Sequence, residues 1–166
     1  MALLLFLQVR WAYRRRQLMA ASWDIILERI EPVDLNGLRV IAECYLQPDK
    51  DQLCIQPDEM WSIVGGLDGI SRLKANAAAM LDLAVFAERW DDAHGRVVSE
   101  LIRRDAVRLN NAVTRLELAY IFQFWFIRAP FHIQEAAASY YLIRSRLLNL
   151  YQNCHAGLYP RLAEAV

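Results

Sequence analysis

The stretch HGRVVSELIRRDAVRLNNAVTRLELAYIFQFWFIR, residues 94–128, decides how the rest of the chain is read. Its first part repeats apolar positions at three- and four-residue steps through Val98, Leu101, Leu109, Ala112, Leu116 and Ala119, the period of a helix that packs one stripe on a neighbour. Asp105 interrupts that stripe. Arg96, Arg103, Arg104, Arg108 and Arg115 fall on other faces, and Glu100 precedes Arg104 by four residues, the favoured spacing for a helical ion pair. From Leu118 to Ile127 nine of ten residues are apolar. A helix carried through them is apolar on every side and needs core, partner or lipid around it. At about 1.5 Å per residue, a helix over 94–128 spans roughly 50 Å, which predicts that one end outruns a small core.

Downstream, Pro130 either reverses the chain or kinks a continuous helix; a reversal is the preferred reading. Ile133, Ala136, Tyr140, Ile143, Leu147, Leu150 and Cys154 then form a regular stripe, so 131–154 is predicted as the antiparallel partner of 94–128. Arg144 and Arg146 face elsewhere, and Gly157 and Pro160 end the helix before a short tail. Upstream the elements are shorter. Trp23 to about Glu31 is a helix stopped by Pro32, Asp34 opens one to Leu46 before Pro48, and Pro57 begins another that Gly65 and Gly66 close. Asp68 and Gly69 start a longer one to about Trp90, with Ile70, Leu73, Ala77, Met80, Leu81, Ala84 and Ala87 in register.

These elements add up to an all-α protein of about six helices, a long C-terminal helical hairpin with shorter helices packed across it. Residues 1–22 stand apart as an apolar and basic N-terminal helix. Residues 23–166 form a single helical domain, with an acidic short-helix part over 23–92. The chain has 166 residues, of which 56% are hydrophobic, and a mean hydropathy of +0.12, between an ordinary soluble protein and a polytopic membrane protein. Zero net charge hides an uneven layout: +4 over residues 1–22, −8 over 23–92 and +4 over 93–166. Cys44, Cys54 and Cys154, odd in number and widely spaced, argue for free thiols rather than a disulfide framework.

Both basic blocks also hold the most apolar stretches. Leu3, Leu4, Leu5, Phe6 and Leu7 lead to Trp11, Tyr13 and the triplet Arg14, Arg15 and Arg16. That segment is too short to span a bilayer, which takes about 20 apolar residues, and its charge follows the apolar run rather than preceding it as in a signal peptide. Apolar residues, then Trp and Tyr, then arginines is the order at the cytoplasmic edge of a membrane helix, so the segment could be the end of a longer one. The second such set is Tyr120, Phe122, Phe124, Trp125, Phe126, Arg128 and Phe131. The same residue types are enriched in protein interfaces.

No constellation of chemistry competes with this. His94, His132, His155 and the cysteines lack zinc-ligand spacing. Gly65, Gly66 and Gly69 have no preceding strand and no following Lys with Ser or Thr, so they read as a helix linker rather than a phosphate loop. Asp58 and Glu59, like Asp91 and Asp92, read as helix-start acids, and no Glu-x-x-His pair of a di-iron bundle occurs. No catalytic, cofactor or metal residue is assigned. The arginine stripe could face nucleic acid, but only two lysines accompany it and the net charge is zero, which places that third. The expectation is a non-enzymatic accessory or structural subunit held at the cytoplasmic face of a membrane by its apolar, Arg-bordered ends. The alternative is a soluble cytoplasmic interaction module that binds another subunit or self-associates.

Overall fold

The computed structural model describes residues 22–46, 55–90, 92–121 and 125–166, with the side chains of 92–94 and 125–128 excepted. The described residues form seven helices and no strand: α1 (Trp23–Leu27), α2 (Leu35–Leu46), α3 (Pro57–Val64), α4 (Gly66–Ala87), α5 (Asp92–Ile121), α6 (Trp125–Cys154) and α7 (Tyr159–Ala165). The fold is all-α, as the periodicities predict. The N-terminal segment 1–21 lies outside the described residues.

The helix everything else is built on is α6, not the stretch the sequence put at the centre. Helices α2, α3, α4, α5 and α7 all pack on α6, whereas α5 packs on α4 and α6. Residues Ala136 to Tyr140 are buried without a break, which is more than one helical turn, so neighbours cover every side of α6 there. The predicted stripe from Ile133 to Leu150 is all core, and a single apolar cluster joins residues of all seven helices.

Three sequence expectations about the hairpin are corrected. First, the reversal does not fall at Pro130. Helix α5 ends at Ile121 and α6 begins at Trp125, and Pro130 lies inside α6. The run Tyr120 to Ile127 is therefore divided between two helices instead of forming one all-round apolar end. Second, Glu100 pairs with Arg103 at 3.2 Å, one residue short of the expected Arg104. Third, the predicted stripe of α5 is core at Leu109, Ala112 and Leu116 but shifts in the first turns of the helix. Leu101 is exposed, while Ser99, Ile102 and Asp105 are buried. The two polar members hold core positions because each has a partner: Ser99 Oγ donates to Glu88 at 2.6 Å, and Asp105 forms an ion pair with Arg146 of α6.

The shorter helices are fixed by side-chain bonds at their ends. Asp34 caps α2 by accepting the Gly37 N–H at 3.0 Å. Gly65 and Gly66 take φ of +81° and +64°, the left-handed region where glycine is favoured, so α4 follows α3 directly. Asn76 of α4 clamps the α1–α2 connection: its Oδ1 accepts the Glu31 N–H at 2.9 Å and its Nδ2 donates to the Glu31 carbonyl at 2.7 Å. Trp23 Nε1 donates to the Tyr151 hydroxyl, which donates to the Leu83 carbonyl, both at 3.0 Å. That chain ties α1, α6 and α4 together. Burial pushes the pKa of both Tyr151 and Tyr140 up from the usual phenol value.

Two further readings change. Cys44 is disulfide-bonded and Cys154 is not, so the free-thiol expectation fails at Cys44. The short tail is the helix α7, whose Leu162 is fully buried; the Val166 carbonyl accepts a hydrogen bond from Arg144.

Candidate docking surface at the hairpin tip

Helices α5 and α6 run antiparallel. Arg115 lies 3.9 Å from Glu135, Asp105 pairs with Arg146, and Arg146 also donates to the Leu101 carbonyl at 3.3 Å. Ten residues up α5, from Asp105 to Arg115, the partner position on α6 goes back eleven, from Arg146 to Glu135, as a hairpin requires. Core packing along it ends abruptly. Leu116 on α5 and Ala129 on α6 are buried at 0% and 1% exposure. Leu118, on the opposite side of α5, is 48% exposed, and one turn beyond Leu116 the apolar side chains are open, Tyr120 at 54% and Ile121 at 68%, with Phe131 of α6 at 37%.

Their directions matter as much as their exposure. At about 100° per residue, Leu118, Tyr120 and Ile121 fan over close to half the circumference of α5. That arc is wider than the single stripe a side-on helix contact uses, and it places exposed apolar surface on the last described turn of α5. The polar border is close by. The Glu135 carboxylate receives Arg115 at 3.9 Å and His132 Nδ1 at 3.7 Å.

The residues nominated from sequence divide into three groups. Leu3, Leu4, Leu5, Phe6, Leu7, Trp11, Tyr13, Arg14, Arg15 and Arg16, together with Phe122 and Phe124, lie outside the described residues. Trp125, Phe126 and Arg128 belong to the first turn of α6, of which the backbone alone is described. Tyr120 near the end of α5 and Phe131 near the start of α6 are both exposed. Leu118 and Ile121 are exposed as well; both stand in the apolar run and off the stripe that holds the buried Leu116.

Elsewhere the described surface gathers little chemistry. Among the described residues no three His, Cys, Asp or Glu converge where a metal ion would fit. His155 packs against Trp90, ring centroids 4.7 Å apart, beside Tyr151. A groove between α4 and α5 has Lys74 and Arg103 over a floor of Ala77, Leu81, Ala106 and Leu109, with no nucleophile or acid–base pair in it. No helix among the described residues is long and apolar enough to cross a membrane. No protein-family model, curated protein or solved structure matches the chain.

Proposed function

We propose that this chain is a non-enzymatic helical accessory protein that docks on a membrane surface through the tip of its α5–α6 hairpin. The observation that carries this reading is the exposure of Leu118, Tyr120 and Ile121 over nearly half the circumference of the last turn of α5. Apolar side chains spread that widely sink into an apolar phase more fully than they fit one packing stripe. Magnitudes limit what the tip does alone. Completing the burial of four side chains that are already about half covered gives about 1 kcal/mol each, some 4 kcal/mol together. That is a reversible anchor, of the class that needs a second contact to hold.

Flotation with phosphatidylcholine and phosphatidylglycerol vesicles tests the reading. The wild-type chain floats with the vesicles, and Tyr120→Asp with Ile121→Asp stays in the dense fraction with its circular dichroism unchanged. Val40→Asp, at an exposed apolar residue of α2, floats like wild type. A wild-type chain that remains in solution, or a tip variant that floats equally well, refutes the proposal. A tip variant whose oligomer falls apart while its vesicle binding persists assigns the tip to a second copy instead.

A further inference from the structure

We infer that the outward face of α5 is a second anchor that lays the hairpin lengthwise on an anionic lipid surface, its arginines meeting lipid phosphates; this rests on the docking reading above. Val97, Leu101, Arg104, Arg108, Arg115 and Leu118 are all exposed. At 3.6 residues per turn they fall within about 100° of arc, and the line from Val97 to Leu118 runs roughly 32 Å along the helix. Apolar residues stand at both ends of the line and arginines between them. Glu100, on its border, is tied to Arg103 at 3.2 Å.

Arg108 and Arg115 each stand at the edge of ion-pair range of a carboxylate, Asp105 at 3.8 Å and Glu135 at 3.9 Å, and their side chains stay 52% and 58% exposed. The buried Asp105 carboxylate is paired more closely with Arg146 from the neighbouring helix. Burial, and then the charge of Arg104, push the pKa of Arg146 below its ordinary value, a sign that guanidinium groups crowd this side of the hairpin. Such a face attracts phosphate. Its apolar members decide which phosphate. Val97, Leu101 and Leu118 gain nothing along a nucleic-acid backbone, whereas an interfacial helix sinks such side chains among acyl chains while arginine stays at the headgroups. Leu118 also belongs to the tip, so the two surfaces are continuous.

Flotation of the full chain on pure phosphatidylcholine vesicles and on vesicles containing phosphatidylglycerol separates the two anchors. Arg104→Gln with Arg108→Gln is expected to weaken partition onto the anionic vesicles about 25-fold, at about five-fold per arginine near an anionic surface. It leaves partition onto phosphatidylcholine unchanged and flattens the salt dependence. Equal partition of wild type and variant onto anionic vesicles, or no anionic preference in the wild type, overturns the inference and leaves the tip reading standing. The reverse failure is recognisable too: Tyr120→Asp with Ile121→Asp binding anionic vesicles like wild type, while the arginine variant does not, supports this face and removes the tip. A duplex-DNA mobility shift lost in the arginine variant, without any vesicle preference, assigns the stripe to nucleic acid and overturns the lipid inference.

Discussion

Gln134 sits in α6 at 1% exposure, and neither its Nε2 nor its Oε1 has a hydrogen-bond partner among the described residues. A buried amide without partners costs about 1–3 kcal/mol relative to an apolar group of the same shape. Gln134→Met, similar in length and volume, is therefore expected to raise the unfolding free energy by about 1 kcal/mol in urea titration; a loss of stability would contradict the burial described. Ser99 and Asp105 behave oppositely, because they are paired. Ser99 and Asp105 are why the α5 stripe was misread: hydropathy assigns a polar residue to the surface, and only the partners Glu88 and Arg146 explain its burial. Tyr140 and Tyr151 add a pH test. Their folded-state pKa values lie above the 10.0 of the unfolded chain, so above pH 10 the unfolded state loses protons that the folded state keeps. Stability is flat below that point and falls beyond it, by up to about 1.4 kcal/mol per pH unit for each tyrosine. Tyr151→Phe is expected to cost about 1 kcal/mol at pH 7 for its lost hydrogen bonds and to show a shallower decline from pH 10 to 11.

At the scale of elements, helix identity was legible and helix connection was not. The stripes of α4 and α6 could be read directly, since their members from Ile70 to Ala87 and from Ile133 to Leu150 lie in or against the core. The hairpin reversal could not. Phe122, Gln123 and Phe124 include no glycine or proline, while Pro130 offered a breaker that α6 instead accommodates. The change of direction is decided by packing, with Arg115 facing Glu135 and Asp105 facing Arg146. The second contact can be weighed by a double-mutant cycle. Asp105 is 3% exposed in its side chain and Arg146 31%, so removing the acceptor in Asp105→Ala costs about 3–5 kcal/mol and leaves the guanidinium half-buried without its partner. Asp105→Leu with Arg146→Met is expected to recover most of that loss, because two apolar side chains of similar size need no pairing. A double variant as unstable as the single would show that the ion pair is not what holds the two helices in register.

Across the whole molecule, the charge blocks and the apolar ends of the chain were visible in sequence, but where a helix leaves the core was not. Leu116 and Tyr120 stand one turn apart on nearly the same face of α5, and the first is fully buried while the second is 54% exposed. What separates them is how far the packing of the other helices extends along α5, a property of the assembled helices that no local pattern encodes. The membrane-surface reading therefore turns on whether the tip enters an apolar phase. An environment-sensitive fluorophore on Ile121→Cys, in a Cys154→Ser background, measures this directly, with the same label on Val40→Cys as the distant control. On addition of anionic vesicles the label at position 121 is expected to shift to the blue and become shielded from an aqueous quencher, while the label at position 40 does not change. Unchanged emission at 121, or an equal shift at both positions, would contradict docking through the hairpin tip.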